Sequence, residues 1–254
     1  MVWDPGLYEK YAGPRLQPGL DLIARIQVHE VRRIYDLGCG PGRLTACLAE
    51  RWPEAHITGV DSSPDMLAKA RAANPEISWA EGDIAGWSPD EPPDLIFTNA
   101  ALHWLGDHAR LFPRLLGALA KGGVLAVQMP RNFDAPSHTL IADVICEGSW
   151  SVALPMPGEP VAPPESYYDM LARHAAGLEI WESVYLQVLE GEDPVLEFVR
   201  ATALRPALEA LAGDERETFL ADYGARLRAA YPRREDGVTL FPFRRLFIVA
   251  TAKG

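Results

Sequence analysis

Cysteine is scarce in this chain: Cys39, Cys47 and Cys146 are the only three among 254 residues. An odd count without Cys-x-x-Cys spacing or a Cys/His cluster specifies neither a disulfide framework nor a metal site, and it suits a reducing compartment. Basic runs are missing as well. Lys and Arg number 24 against 35 Asp and Glu, the net charge is −11, and no basic run is longer than a pair. Nucleic-acid binding rests on clustered, phosphate-neutralising charge, so that class of partner is excluded. No apolar run approaches the ~18 residues that a membrane span requires, and the first residues lack a basic-then-apolar leader. The expectation is a cytoplasmic protein that stays off membranes, as a monomer or small homo-oligomer.

What the chain does have is material for a core, 48% hydrophobic residues against 23% charged, enough for one large α/β domain with an insertion. Its most informative stretch is Ile34-Tyr35-Asp36-Leu37-Gly38-Cys39-Gly40-Pro41-Gly42. A short apolar run stops at three alternating glycines, and a helical pattern starts at once with Leu44, Ala46, Leu48 and Ala49. That predicts strand, tight turn and helix. Glycines at such a junction let the backbone turn sharply and admit a ligand to the free N–H groups of a helix N-terminus. The dinucleotide pattern G-x-G-x-x-G is not met, because Arg43 stands where its third glycine belongs. A second strand, Ala55 to Val60, closes on Asp61, spaced to accept hydrogen bonds from a ribose diol. A third, Ile77 to Ala80, leads into Gly82-Asp83-Ile84. Glycine turn, acid after strand two and acid after strand three describe a nucleoside pocket.

The series Asp36 to Gly42, Gly59-Val60-Asp61-Ser62-Ser63, Gly82-Asp83-Ile84 and Asp94-Leu95-Ile96-Phe97-Thr98-Asn99 resembles the class I S-adenosylmethionine-dependent methyltransferases across about the first 130 residues. The resemblance implies a doubly wound, mostly parallel seven-stranded sheet with a helical insertion on the substrate side. It also implies S-adenosylmethionine as cofactor and no metal. Gly38 and Gly40 are then expected against the methionine moiety, Asp61 on the ribose hydroxyls, and Asp83 with the Ile84 backbone on the adenine; Asp36, Gly42, Ser62 and Asn99 complete the expected cofactor set. Further stretches are similar to the trans-aconitate 2-methyltransferases: Trp3-Asp4-Pro5-x-x-Tyr8, Met129-Pro130-x-Asn132, Ala201-Thr202-x-Leu204-Arg205-Pro206 and Arg245 to Thr251. That similarity spans nearly the whole chain and implies a small polycarboxylate as substrate.

The remaining segments fit around this frame. Trp3, Tyr8 and Tyr11 precede Leu16, Leu20, Ile23 and Ile26 at helical spacing, and the resemblance makes residues 1–30 a lid and helix, with Arg15 and Gln17 between the two parts. Ser62-Ser63-Pro64-Asp65 is a helix start, with a serine cap, proline in the first turn and an acid beside it. Leu95 to Thr98 is an apolar run of the kind buried on both faces of a parallel sheet, and it ends at Asn99-Ala100-Ala101-Leu102-His103-Trp104. Ligands bind beyond such carboxyl ends. Asp107 is expected to cap a helix closed by Lys121-Gly122-Gly123, before a strand from Val124 to Met129. Prolines crowd Ser149 to Pro164, a surface excursion that opens a substrate-side insertion at 149–235, between a cofactor-binding core at 31–148 and a last strand within 236–254. Helices are expected at Glu165 to His174, Val195 to Ala203 and Arg216 to Ala230, and strands at Leu178 to Leu189 and Phe243 to Ala250.

If the acceptor is a carboxylate, with a pKa of about 4, nothing has to be deprotonated at neutral pH, and the burden falls on recognition. Arginine forks suit it. Arg15, Arg131, Arg205, Arg244 and Arg245 are the candidates, with His103 and Gln17 as neutral donors. Two alternatives stand beside this reading. One is methylation of another small molecule with His103 as general base. The other is a cofactor-binding module without turnover.

Overall fold

The computed structural model describes residues 12–28, 30–156, 161–200 and 202–253, with the backbone alone for 12–15. The aromatic cluster of Trp3, Tyr8 and Tyr11 lies outside the described residues, as do Ala201 and the side chain of Arg15. In chain order the first elements are α1 (Ala12–Arg25), β1 (Arg33–Leu37), α2 (Arg43–Arg51), β2 (His56–Asp61), α3 (Pro64–Ala73), β3 (Ser78–Glu81) and β4 (Leu95–Asn99). A 3-10 turn at Leu102–Trp104 precedes α4 (His108–Gly117), β5 (Val124–Pro130), α5 (Pro136–Glu147) and α6 (Pro164–Leu171). The chain closes with β6 (Ala175–Leu189), α7 (Pro194–Arg200), α8 (Arg205–Ala210), α9 (Gly213–Ala230) and β7 (Thr239–Ala252).

The seven strands form one sheet in the order β3-β2-β1-β4-β5-β7-β6. β1, β2, β3, β4 and β5 pair in parallel, and β7 runs antiparallel to β5. This is the mostly parallel, doubly wound sheet expected from the sequence. Strand order reverses between β1 and β4, a switch point that opens a crevice at their carboxyl ends.

Contacts divide the chain into two units. The larger holds residues 15–130, 160–183 and 245–254. Its centre is β4 and β5, whose Leu95, Ile96, Phe97, Leu125, Ala126 and Val127 are fully buried because helices cover both faces of a parallel sheet. The end of α1 is held by Arg51, whose guanidinium donates to the Ile23 and Ile26 carbonyls, acceptors that a helix C-terminus leaves unpaired. The serine cap of α3 is present: Ser63 Oγ accepts from Met66 N at 3.4 Å with Pro64 in the first turn, worth about 1 kcal/mol.

The smaller unit holds residues 1–14, 131–159 and 184–244. Phe198, Leu204, Phe219, Tyr223, Phe241 and Phe243 make its core, and Tyr223 Oη donates to the Ser137 carbonyl at 2.7 Å.

Several local expectations are corrected. Arg15 and Gln17 do not lie ahead of the first helix but inside α1, and Gln17 Nε2 donates to Asp21 Oδ1, one turn on, at 2.7 Å. Asp107 precedes α4 in a left-handed conformation (φ +52°) without a side-chain cap bond, and the helix ends at Gly117 rather than at Lys121. The helix expected over 195–203 is α7, which ends at Arg200, and a further short helix, α8, follows where none was expected. Residues 136–147 are helical although no helix was expected there; Leu140, Ile141, Val144 and Ile145 carry the spacing, after Pro136 at the first position.

Candidate active site

The glycine turn is built as its spacing requires. Gly38, Gly40 and Gly42 have φ of +77°, +55° and +81°, a region that L side chains adopt at a cost of about 1–2 kcal/mol. Gly38 N and Cys39 N both donate to the Val60 carbonyl, at 2.8 and 3.0 Å, which ties the turn to the end of β2. Each glycine has its own neighbour. A Cβ on Gly38 would stand 2.3 Å from the Ala101 Cβ, one on Gly42 would stand 2.4 Å from the Trp79 ring, and one on Gly40 would meet nothing within 4 Å. Gly42 therefore admits an indole, whereas Gly40 faces open space. No side chain caps α2, so its first N–H groups stay available to an anionic group.

Asp61 organises the next part. Its Oδ2 accepts from Gly40 N at 2.8 Å and its Oδ1 from Ser63 N at 2.9 Å. A carboxylate accepts about four hydrogen bonds, so both oxygens keep capacity for a diol. Asp83 Oδ1 accepts from Ala85 N at 2.9 Å and the acid is exposed, while Ile84 is buried beside Gly38. Ser62 follows Asp61 ahead of α3 and is exposed. Asp36 is buried and accepts from Thr45 Oγ1 at 2.6 Å. Burial pushes its carboxyl up to about 7, against the lowering by Thr45 and with help from the Asp61 charge. A ribose-ready carboxylate, an open glycine, an uncapped helix and an acid near the adenine end fit a nucleoside carrying an amino-acid tail.

Arg114 holds the loop that follows Asp83. Its guanidinium donates to the Ile84 carbonyl at 2.8 Å, to that of Ala85 at 3.0 Å and to that of Trp87, and the Trp87 ring stands edge-on to Tyr35 at 5.0 Å. Nothing local in the sequence links Arg114 to a loop 27–30 residues before it. Arg114→Met is expected to raise the dissociation constant for S-adenosylmethionine about 10-fold, measured by titration calorimetry, with a much smaller change in melting temperature.

The end of β4 leads into a tightly held turn. Ala100, a non-glycine at φ +53°, turns the chain sharply after Asn99, and its N–H donates to the Gln128 carbonyl of β5 at 2.9 Å. Such strain persists where the surroundings enforce it, often at functional positions. His108 anchors the following turn: one ring nitrogen bonds the Leu102 carbonyl at 2.9 Å and the other the Tyr167 hydroxyl at 2.8 Å. His103 lies in that turn. Burial lowers its pKa to about 3, with further lowering by the charges of Arg245 and His108.

Arg131, Arg205 and Arg244 belong to the smaller unit. Arg205, more than half exposed, pairs with Glu209 at 3.3 Å; Arg244 pairs with Asp134 at 2.8 Å. Exposed pairs of this kind contribute about 0–1 kcal/mol. Arg131 is half-buried, and its N–H donates to the Arg244 carbonyl at 3.0 Å. Among the described residues no group of three His, Cys, Asp or Glu is placed to hold a metal ion, and no helix is long and apolar enough to cross a membrane.

The fold and the glycine–acid turn define a class I S-adenosylmethionine-dependent methyltransferase. The sequence profile of the methyltransferase domain matches residues 34–123. The chain is 49% identical over 252 residues to the trans-aconitate 2-methyltransferase of Azoarcus sp. (strain BH72), covering 98% of each chain. It is 44% identical over 249 residues to that of Escherichia coli O139:H28, covering 98% of this chain and 97% of the other. The chain therefore belongs to the trans-aconitate 2-methyltransferase family. In fold it is similar to Haemonchus contortus phosphoethanolamine N-methyltransferase 2 solved with phosphomonomethylethanolamine and S-adenosylhomocysteine: TM-score 0.57, 14% identity, 94% of this chain and 53% of that one.

Proposed function

We propose that the chain transfers the methyl group of S-adenosylmethionine to a carboxylate of trans-aconitate, giving the monomethyl ester and S-adenosylhomocysteine. The observation that carries this reading is identity of 49% to a trans-aconitate 2-methyltransferase across 98% of both chains. The glycine turn, Asp61 and Asp83 support it by matching the cofactor's parts.

When bound, S-adenosylmethionine supplies a methyl group already activated by its sulfonium. Gly38, Gly40 and the start of α2 receive the amino-acid end, Asp61 the ribose and Asp83 the adenine; Asp36 offers the one buried carboxylate beside the turn, and Asn99 closes the pocket at the end of β4. The acceptor carboxylate, with a pKa of about 4, is ionised at neutral pH, so the protein orients it and excludes water. His103, held near pKa 3, stays neutral from pH 5.5 to 8.5 and serves as a hydrogen-bonding group, not a base. Arg245, buried in the larger unit, supplies positive charge to this end of the sheet. The working protein is a monomer or small homo-oligomer acting on a small molecule in the cytoplasm.

This mechanism sets a pH profile. At saturating cofactor, turnover of trans-aconitate is expected to stay constant within about 2-fold from pH 6 to 8.5, because neither acceptor nor His103 titrates there. A tenfold fall per pH unit below a midpoint near 7 that persists in Asp36→Asn, which removes the carboxyl that burial pushes up to about 7, would instead assign the rate to a general base.

A further inference from the structure

At the carboxyl ends of β4 and β5 the larger unit buries polar atoms that have no hydrogen-bond partner among the described residues: Asn99 Oδ1, His103 Nδ1, and both Oε1 and Nε2 of Gln128. Buried polar atoms are nearly always paired, and leaving one unpaired is costly. Gln128 is the extreme case. It is 1% exposed and is the single polar side chain in a strand that otherwise reads Val-Leu-Ala-Val-Met-Pro. An apolar residue would fill that place without penalty, so a packing role gives no reason for the amide.

The register shows what shares its face. Gln128 stands opposite Asn99 of β4 on one side and Phe247 of β7 on the other. Arg245 is paired with Pro130, two residues on from Gln128, and side chains two apart point to the same face. The turn that carries His103 packs against β5, and the Arg245 charge reaches His103. Thr98, also buried without a partner, points to the opposite face by the same alternation and does not join the group. Two amides, a neutral imidazole and a guanidinium field therefore meet where the strands end. Gln128 Nε2 and an imidazole N–H are donors within a positive potential, with no carboxylate beside them in the register, which suits an anion with planar oxygens; Asn99 Oδ1 and Gln128 Oε1 are acceptors and do not bind it.

We propose that Gln128, with His103 beside it in the field of Arg245, seats a carboxylate of the acceptor acid. This rests on the polycarboxylate reading above. Gln128 Nε2 and the imidazole N–H donate to the carboxylate oxygens, and the amide is retained because the acceptor satisfies its N–H group. Gln128 is thus a specificity residue for the acceptor and not part of the cofactor pocket.

Gln128→Leu separates these roles. The expected result is a KM for trans-aconitate raised about 10- to 100-fold, with kcat changed less than 3-fold and S-adenosylhomocysteine affinity by calorimetry within 2-fold. The melting temperature of the ligand-free variant should equal or exceed that of the parent, since an unpaired buried amide is removed. Gln128→Glu, which sets a negative charge against the acid, should raise KM further. A KM within 2-fold of the parent, or a ligand-free melting temperature lowered by several degrees in Gln128→Leu, would overturn the assignment. The polycarboxylate reading fails separately: the parent protein itself would then neither bind trans-aconitate in the presence of S-adenosylhomocysteine nor methylate it.

Discussion

Exchange of Asp61 for Asn is expected to weaken S-adenosylmethionine binding by about 100-fold. Both carboxylate oxygens already accept a loop N–H, from Gly40 at 2.8 Å and from Ser63 at 2.9 Å. An asparagine has one acceptor oxygen, so its NH₂ group must oppose one of those two donors. The turn carrying Gly40 and the start of α3 are then no longer held by one side chain, and the ribose loses a charged acceptor as well. Calorimetric titration with S-adenosylhomocysteine reads the affinity directly. The ligand-induced rise in melting temperature gives an independent reading, since stabilisation grows with the logarithm of ligand concentration over the dissociation constant. Retention of affinity within 3-fold would remove Asp61 from the cofactor site.

Gly38→Ala and Gly40→Ala should part company. At Gly38 the new methyl must adopt φ +77° and would stand 2.3 Å from the Ala101 Cβ, itself in the strained turn after β4. Left-handed strain and overpacking together are expected to cost about 2–4 kcal/mol of stability, seen as a lower urea midpoint, together with loss of cofactor binding. At Gly40, with φ +55° and nothing within 4 Å, only the strain of about 1–2 kcal/mol applies. Its methyl points into space that a ligand would occupy, so binding should suffer far more than stability. Equal stability losses in the two variants would contradict this division between packing and ligand approach.

Local chemistry was legible in the sequence, and long-range packing was not. The parallel strands β1, β4 and β5 read as short apolar runs because both of their faces are covered, and the Ser63-Pro64 helix start and the alternating glycines are signals complete within a few residues. Trp79 was legible only as a strand residue. Its ring fills the space beside both Gly42 and Gly59, and its Nε1 donates to the Asn74 carbonyl at 3.0 Å, contacts that no spacing rule reports. The arginines illustrate the same limit. Arg226 pairs with Asp222 and with the distant Glu147, and Arg228 with Asp193, partners that the spacing of α9 does not announce. Gln128 did leave a trace, a lone amide in a strand buried on both faces, but its meaning depends on Arg245, which reaches it only through sheet register.

Mass spectrometry of a reaction containing S-adenosylmethionine and trans-aconitate, beside cis-aconitate, citrate and a no-acceptor control, tests methyl transfer most directly. The expected result is a product heavier than trans-aconitate by one methylene, formed in step with S-adenosylhomocysteine and returned to trans-aconitate by alkaline hydrolysis, as an ester must be. Unchanged trans-aconitate in the presence of protein that binds S-adenosylmethionine would contradict carboxylate methylation of this acid while leaving the fold and the cofactor pocket in place.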